Sequence, residues 1–454
     1  MLLNRYLGNK TAILPEILQT IATHCSPGDS VFDAFSGSLS VSFALKLAGY
    51  RVAATDLNLL SRTFAEAYLL PTTIAEYEFD VDALLSENQR SRVEGGARRT
   101  RERLEGQPGF EFLAAMGGRR MYGDLLMLLE HLATVRRSDL PDGLSRSDFF
   151  DAYCPQGKHS EFVSSRGRSG RRSFFSPANA RRLDLALSQL RHWEIERLLP
   201  QSAMSLLVAV VCLASEKVAN TQGTWHDFPR EVWDARALKP IRLVPPPLDG
   251  VLLGQGGHLH GREEDALSFA ASLPPQKVAY YDPPYNFRQY TAYYHLPNTI
   301  CRYPTLADPE AYFSELEYVR GQNMAHDIPS QYCSSRMFLE AMRTLIAGTP
   351  ADVVVVSYFT GRNHWSTEFD SDPSDKGLEA ICGLLEGPEF TNGSLRVHRI
   401  PRTNYASYGG YVARQVDELL LVAGKRPPRA EEPRRNRPRV PDRQRVPALV
   451  PSCA

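Results

Sequence analysis

The sequence has few cysteines, no excess charge of either sign and no long apolar run. Its 7 cysteines are scattered, without a CxxC pair or a metal-like pairing with histidine, so we expect reduced thiols, a cytoplasmic location and no metal site. Lysine plus arginine and aspartate plus glutamate each number 52, which excludes a protein that is basic over its whole surface but allows a basic cleft. The longest apolar stretch, from Met204 to Ala214, is about half of the roughly 20 residues that a membrane span needs. We therefore expect no signal peptide and no membrane partner.

The chain has 454 residues, of which 43% are hydrophobic, a content typical of globular proteins. Its first part alternates helix and strand: Ala12–His24 has helical spacing, Ser30–Phe32 is a short apolar strand, Leu39–Ala48 is again helical, and Arg51–Thr55 is a second strand. This order predicts a parallel sheet with a right-handed crossover.

Further strands are predicted at 277–281, 352–358 and 416–423, where near-continuous apolar runs indicate burial on both faces. Between the two groups of strands, residues 63–245 are mostly helical in pattern. We therefore predict an α/β sheet domain formed by residues 1–62 and 246–425, a large helical insertion at 63–245, and a disordered Pro/Arg-rich tail at 426–454.

The strongest chemical signal is Asp282-Pro283-Pro284-Tyr285, directly after the strand at 277–281. Two prolines at the carboxyl end of a strand make a rigid loop, at the edge where open α/β sheets bind ligands. The loop suits a flat base with an exocyclic amine, which would donate to Asp282 and to the Pro283 carbonyl while the ring stacks on Tyr285. The alternatives are an ordinary Asp-Pro turn and a proline-rich ligand for a partner.

Two weaker signals lie near the N-terminus. The segment from Asp33 to Ser38 runs from a strand end through a small-residue turn into a helix, which lets a cofactor approach the backbone. Asp56 follows the next strand, at a spacing typical of the acid that binds ribose hydroxyls; the alternative is a structural turn and a solvated aspartate. Arg5-Tyr6-Leu7-Gly8-Asn9-Lys10 precedes the first helix and by itself indicates only a basic turn.

Taken together, in the order in which they occur along the chain, these motifs resemble those of the adenine-N6 DNA methyltransferases. The placement of the insertion between the cofactor half and the catalytic loop resembles the Dam-like alpha group. The resemblance spans about residues 4–425 and includes the segments 173–184 and 217–224 and the pair Ser357-Tyr358. It implies a Rossmann-like sheet that uses S-adenosylmethionine, with the target-recognition region at 63–245. It also implies double-stranded DNA as the partner and a modification enzyme with a possible cognate restriction endonuclease.

The resemblance assigns roles to individual residues. The catalytic loop is Asp282, Pro283, Pro284 and Tyr285. The cofactor-binding residues are Tyr6, Lys10 (suited to the cofactor carboxylate), Asp33, Phe35, Gly37, Asp56 (the ribose ligand) and Asp265. The sequence departs from the family pattern at Leu39, where a second glycine is usual, and a Cβ there is expected to crowd the methionine end of the cofactor.

The insertion carries a basic cluster, with eight basic residues against two acidic ones between Lys158 and Arg191. We interpret five of them as contacts to DNA phosphates, which give affinity and register but not sequence: Lys158, Arg166, Arg168, Arg171 and Arg172. The alternative is a solvated basic loop. Just after the catalytic loop, Arg288, Tyr290 and Tyr293 are candidates for a flipped-base pocket, and core packing is the alternative for the tyrosines.

Three other functions stay open. Cytosine-N4 methylation uses a related loop that usually begins with serine, and glutamine methylation of proteins uses one that usually begins with asparagine, so Asp282 favours adenine. A degenerate methyltransferase fold that acts as a DNA-binding regulator is favoured only by Leu39.

Overall fold

The computed structural model describes residues 5–113, 118–252, 255–262, 265–360, 363–366, 376–404 and 414–426. From residue 427 onward, the predicted disordered tail lies outside the described residues. The strands are β1 (Ser30–Asp33), β2 (Arg51–Ala54), β3 (Glu161–Val163), β4 (Ser169–Arg171), β5 (Leu259–His260), β6 (Gln276–Tyr281), β7 (Leu316–Glu317), β8 (Gln322–Asn323), β9 (Ala351–Phe359), β10 (Arg396–Asn404) and β11 (Arg414–Gly424). The α-helices are α1 (Leu14–Ala22), α2 (Ser40–Leu47), α3 (Leu59–Phe64), α4 (Val81–Leu84), α5 (Glu87–Leu104), α6 (Gly118–Thr134), α7 (Asp148–Tyr153), α8 (Pro177–Ile195), α9 (Gln201–Val218), α10 (Asp249–Leu252), α11 (Ala266–Ala271), α12 (Tyr290–Tyr293), α13 (His295–Arg302), α14 (Pro309–Ser314), α15 (Phe338–Gly348) and α16 (Lys376–Leu385).

Within the described ranges, seven strands form one central sheet in the order β10-β11-β9-β6-β1-β2-β5. The five strands β9, β6, β1, β2 and β5 are parallel to one another. Strand β11 is antiparallel to β9, and β10 is antiparallel to β11. Each strand predicted from the sequence is present, and the prediction of an α/β, Rossmann-like sheet is confirmed. Strands β5 and β10 were not predicted, because β5 is only two residues long and β10 carries several charged side chains at the sheet edge.

Both faces of the sheet are covered, as expected for parallel strands. Successive residues of a strand point to opposite faces: Val278 packs into one core cluster and Ala279 into the other. The first face is covered partly by α1 and α2, whose buried apolar residues recur at helical spacing, as Ile17 and Ile21 do in α1. The second face is covered by α11, α15 and α16. The sheet is therefore a rigid base for the loops at its edges.

The helical segment at 63–245 is continuous with the first face of the sheet. One hydrophobic cluster contains residues of the strands, such as Val355, together with Trp193 and Leu207 of the segment and Tyr294 just before α13. Helix α9 is long and apolar enough to cross a membrane, but 78% of it is buried inside the protein, so its apolar surface is already covered. The boundaries of the insertion stay a prediction, and its core is shared with the sheet.

The two segments of the insertion that carried the family resemblance contact each other. The Asn220 backbone N–H donates to the Phe174 carbonyl at 2.7 Å, and its side chain donates to the Ser173 carbonyl at 3.0 Å. Asp184 accepts from the backbone N–H groups at the start of α7, at 2.7 and 2.9 Å. Asn220 therefore fixes the backbone that leads to residues 222–226, and Asp184 fixes the start of α7.

Candidate active site

Three carboxylates meet at one edge of the sheet. Asp33 ends β1, Asp56 follows β2 and Asp282 follows β6, and the register places Asp33 opposite Ala54 on one side and Tyr280 on the other. From β1 the chain moves towards β2 and β5 on one side, whereas β6 and β9 lie on the other side. Such a switch point in strand order opens a crevice at the carboxyl ends of the strands.

A cavity of about 1230 Å³ occupies this crevice. The structure brings all the predicted catalytic and cofactor-binding residues to its wall: Tyr6, Lys10, Asp33, Phe35, Gly37, Asp56, Asp265, Asp282, Pro283, Pro284 and Tyr285. Motifs that are more than 200 positions apart in the sequence therefore share one site.

The N-terminal motif and the glycine turn pack directly against each other. The Tyr6 ring stacks on Tyr294, with centroids 4.3 Å apart and 12° between the planes. Gly37 has a φ of +49°, and a Cβ at this position would lie 2.7 Å from the Tyr6 ring. Glycine is therefore required by both the backbone and the ring, and the two motifs form one wall of the cavity.

Two aspartates shape this wall in different ways. Asp56 closes the glycine turn, because its carboxylate accepts from the Gly37 N–H at 2.9 Å and from the Asn58 backbone and side chain at 2.8 and 2.9 Å. Asp33 is buried, and its Oδ2 accepts from the Ser42 hydroxyl at 2.6 Å, whereas its Oδ1 has no hydrogen-bond partner within the described ranges. Burial raises the pKa of Asp33 to about 7. An acceptor in such a position calls for a ligand that donates a hydrogen bond.

The Asp-Pro-Pro-Tyr loop forms a second part of the cavity wall, next to the N-terminal motif. The Asp282 carboxylate lies 2.8 Å from the Lys10 ammonium, and burial raises the pKa of Asp282 to about 6, with Lys10 opposing that rise. Tyr285 is 6% exposed and is held edge-on by Tyr358, with centroids 5.2 Å apart. Lys10 itself is buried, which disfavours its charge, but the carboxylates of Asp282 and Glu418 outweigh this effect and raise its pKa. The predicted role of Lys10 towards a cofactor carboxylate stays a prediction.

Leu39 does not crowd the cavity. Its backbone is left-handed, with a φ of +67°, and its side chain is fully buried in the core cluster on the first face of the sheet. It is not among the cavity-lining residues, whereas its neighbours Ser38 and Ser40 are. The crowding expected from the sequence is therefore not found, and the left-handed backbone costs about 1–2 kcal/mol.

The helical insertion contributes a third wall, which the sequence analysis did not assign. Gln222, Thr224 and His226 line the cavity, together with Arg288, Tyr290 and Tyr293, which were candidates for a flipped-base pocket. The His226 ring stacks on Tyr293, with centroids 4.1 Å apart and 29° between the planes, and burial lowers the pKa of His226 to about 4. The segment 217–224 had been noted only for its resemblance, since it carries no charge cluster that would mark it as part of a site.

Comparisons with known proteins agree with this geometry. Residues 6–94 match the family described as D12 class N6 adenine-specific DNA methyltransferase. The resemblance to adenine-N6 DNA methyltransferases is thereby confirmed at the level of the family, and the Dam-like alpha group stays a prediction. The match covers the N-terminal motif, the glycine turn and Asp56, all of which contribute to the cavity wall.

Relatives of this methyltransferase-like chain include three modification enzymes. It is 23% identical to "Modification methylase StsI" of Streptococcus sanguinis over 430 residues, which is 93% of this chain and 52% of that protein. It is 29% identical over 192 residues to "Type II methyltransferase M.NlaIII" of Neisseria lactamica, which is 42% of this chain and 53% of that protein. It is 28% identical over 255 residues to "Type II methyltransferase M.FokI" of Planomicrobium okeanokoites, which is 56% of this chain and 35% of that protein. The chain thus spans about half the length of the first two relatives and about a third of the third.

The first part of the basic cluster in this methyltransferase-like chain forms a β-hairpin. Strands β3 and β4 pair antiparallel, and Gly167, with a φ of +74°, lies at the turn. Arg166 and Arg168 are exposed. Neither side chain has an ion pair within the described part of the chain, so both fit the predicted contact with phosphate.

The other basic residues of this cluster already have partners. Lys158 lies 3.6 Å from Asp151, and Arg171 pairs with Glu161 and donates to the Pro155 carbonyl at 3.0 Å. Both remain accessible at the surface, and their contact with DNA stays a prediction.

The prediction for Arg172 is wrong. This residue is 4% exposed, and its guanidinium donates to the carbonyls of Val319, His159 and Tyr318 at 3.1, 2.9 and 2.9 Å. Three of its five N–H groups bind backbone carbonyls, and the side chain is too deeply buried to reach a phosphate on DNA. Arg172 instead joins the hairpin to the turn between β7 and β8.

Proposed function

We propose that the chain is a site-specific DNA adenine-N6 methyltransferase that uses S-adenosylmethionine and acts as the modification enzyme of a restriction-modification system. The observation that carries the proposal is a single cavity that joins the glycine turn to the Asp-Pro-Pro-Tyr loop. Its volume of about 1230 Å³ exceeds the roughly 300–1,000 Å³ typical of one small-molecule site. The cavity therefore has room for a cofactor and a base side by side.

The residues on the first wall fit the cofactor, which when bound supplies a methyl group on a sulfonium. Asp33 offers a buried oxygen without a partner within the described ranges, and this oxygen suits an N–H donor. The Asp56 carboxylate holds the turn by accepting from the Gly37 and Asn58 backbones and from the Asn58 side chain. It also lines the cavity, and we assign the ribose hydroxyls to it. Phe35 and Tyr6 provide apolar surface beside them.

The Asp-Pro-Pro-Tyr loop on the cavity wall suits the target base. The amino group of adenine would donate one hydrogen to Asp282 and one to the Pro283 carbonyl, which favours a pyramidal nitrogen with its lone pair aimed at the methyl group. The ionised Asp282 is the stronger acceptor, and Lys10 at 2.8 Å favours that form. Tyr285, locked by its neighbours, offers a face for stacking. The remaining gain is proximity and alignment.

Such a base has to leave the DNA duplex, at a cost of a few kcal/mol. The third wall, with His226 stacked on Tyr293, lies where an extruded base would enter between the insertion and the catalytic loop. The exposed Arg166 and Arg168 of the hairpin supply positive charge for the phosphate backbone of double-stranded DNA. A cytoplasmic location and a cognate restriction endonuclease stay predictions.

The test is to express the chain in cells that lack adenine methylation and to map modified bases in their DNA. We expect N6-methyladenine at one consensus sequence in the cells with the natural chain and none in cells with Asp282→Ala. N4-methylcytosine at a consensus would replace this proposal with cytosine modification. DNA binding without any modified base and without affinity for S-adenosylmethionine would identify a regulator instead. The sequence feature that favoured a regulator, Leu39, points into the core and no longer supports that function.

A further inference from the structure

A row of four charged side chains leads from the catalytic loop to β10, the outermost strand of the sheet. Asp282 contacts Lys10 at 2.8 Å, Lys10 contacts Glu418 at 3.2 Å, and Glu418 contacts Arg402 at 2.8 Å. Lys10 and Glu418 are only 5% and 1% exposed, and Asp282 and Arg402 are 17% and 25% exposed. All four line the cavity. The sequence analysis assigned the first two and missed the last two.

Both carboxylate oxygens of Glu418 have partners. Glu418 lies on β11, where its Oε1 pairs with the Lys10 ammonium at 3.2 Å and accepts from the Ser357 hydroxyl at 2.8 Å, and its Oε2 accepts from Arg402 at 2.8 Å. Burying such ions costs free energy before their attraction is counted, so stability alone does not favour charge at this position. The network is useful because it ends on the carboxylate that would hold the substrate amine.

The geometry points to a role for the two distant members. Resting on the proposed methyl transfer, we propose that Glu418 and Arg402 are positioning residues: they fix the place of the Lys10 ammonium and, through it, the orientation and ionisation of the Asp282 carboxylate. Glu418 draws Lys10 towards β11 and shares its charge. Arg402 balances Glu418, so that the network as a whole holds two positive and two negative groups.

Several other ionisable groups surround Asp282. Asp33 on β1 and Asp56 after β2 add negative charge at the carboxyl ends of the strands. Of the tyrosines on the cavity wall, four interact electrostatically with Asp282: Tyr6, Tyr280, Tyr285 and Tyr290. Within the network, the negative charge of Glu418 raises the pKa of Asp282, whereas the positive charges of Lys10 and Arg402 lower it. Removing the charge of Glu418 and removing that of Arg402 therefore have opposite electrostatic effects on Asp282.

The experiment measures single-turnover methyl transfer with saturating S-adenosylmethionine and a methyl-accepting DNA from about pH 5 to about pH 8, around the acid limb of the rate profile. In Glu418→Gln we expect this limb to move to lower pH, and in Arg402→Gln to higher pH. The plateau rate falls in both, by up to about 100-fold, since a misplacement of the order of 1 Å has that effect. Arg402→Lys keeps the charge and is expected to keep the limb of the natural chain.

The chain offers a matched control on the same two strands. Arg399 on β10 pairs with Asp417 on β11 at 3.2 Å, and both are much more exposed than the network, at 51% and 34%. Neither residue lines the cavity. Arg399→Gln and Asp417→Asn are expected to leave both the acid limb and the plateau unchanged.

The outcomes separate the two proposals. If the natural chain transfers no methyl group to DNA, the proposed function fails. If the natural chain is active but the acid limb does not move in Glu418→Gln and Arg402→Gln, or moves in the same direction in both, the positioning role is wrong. If Glu418→Gln does not fold, the comparison of Arg402→Gln with Arg402→Lys decides: an equal shift in both overturns the role, and a shift in Arg402→Gln alone supports it.

Discussion

At the residue scale, Asp282 is the side chain on which the proposed chemistry depends. Asp282→Asn keeps the size of the side chain but removes the full charge that accepts from the amine. We expect methyl transfer to fall by at least about 100-fold, the usual cost of losing an electrostatic contact in a transition state. The affinity for S-adenosylmethionine, measured by calorimetry, should change little, because we assign the polar contacts with the cofactor to Asp33 and Asp56 and not to Asp282. Near-normal turnover in this variant would contradict the catalytic assignment.

The raised pKa of Asp282 gives a second prediction. Because protonation removes the negative charge that makes Asp282 a strong acceptor for the amine, methyl transfer should decline as the pH falls through the pKa of Asp282, which burial raises to about 6. Below that value the rate should drop by about tenfold per pH unit. A single-turnover profile measures this limb, with the dissociation constant of S-adenosylmethionine determined at each pH as a control. A rate that stays constant down to about pH 4.5, well below that pKa, would show that Asp282 titrates lower than its burial indicates.

At position 39 we expect a glycine variant to be more stable than an alanine variant, which is the reverse of the usual order. Its side chain is fully buried and its backbone is left-handed. Leu39→Ala should lower the free energy of unfolding by about 2–5 kcal/mol, because it leaves a cavity. Leu39→Gly loses the same contacts but relieves a backbone strain of about 1–2 kcal/mol, so we expect it to be the more stable of the two. Chemical denaturation measures both variants, and a less stable glycine variant would mean that the strain is absent.

At the scale of elements, the β3–β4 hairpin carries exposed arginines at its turn, whereas the arginine that follows β4 is buried. Arg166→Ala and Arg168→Ala should each weaken DNA binding for all sequences and reduce the slope of log affinity against log salt by about one. The methylated consensus should stay the same, because phosphate contacts carry no sequence information. Arg343→Ala, on α15 at the other face of the sheet, removes the same charge and should have no such effect. A changed consensus would show that the hairpin reads bases.

Arg172→Ala should behave differently from its neighbours in the same hairpin. Because it leaves three backbone carbonyls without their donor, we expect the free energy of unfolding to drop by about 3 kcal/mol or more. Loss of DNA affinity with unchanged stability would contradict the structural role that we assign to it.

The sequence predicted those parts of the site that depend on local order along the chain. Asp33, Asp56 and Asp282 each follow an apolar strand, and adjacent parallel strands bring such residues together. Arg172 was misassigned because the sequence of a basic cluster does not show which arginine is buried and which is exposed. Glu418 left one visible signal, an acid within the apolar run of β11, but its partners Lys10 and Arg402 meet it only through the order of the strands. That order is a property of tertiary packing.

At the scale of the whole molecule, the described fold extends to Arg426. The Lys425 ammonium donates to the carbonyls of Ile346 and Thr349, both at 2.7 Å, and the Arg426 side chain donates to Phe390 at 2.7 Å. A chain that stops after Arg426 should therefore keep the melting temperature of the full chain. A chain that stops after Gly424 should have a lower melting temperature. Its free energy of unfolding should fall by about 2 kcal/mol or more, because the lost contacts involve charged donors. Equal melting temperatures for the two truncated chains, measured by calorimetry, would show that the contacts contribute nothing.

On the proposed function, the shared core of the sheet and the helical insertion restricts how this protein can acquire a new DNA target. Because residues of the strands, α9 and Tyr294 belong to one hydrophobic cluster, the predicted recognition insertion is not an independent module that could be transplanted from a relative. A foreign insertion would have to match the shape of the sheet face as well as the new sequence. Diversification is therefore expected to proceed by single substitutions on the exposed hairpin and on the cavity wall at 222–226, while the helices beneath them change slowly.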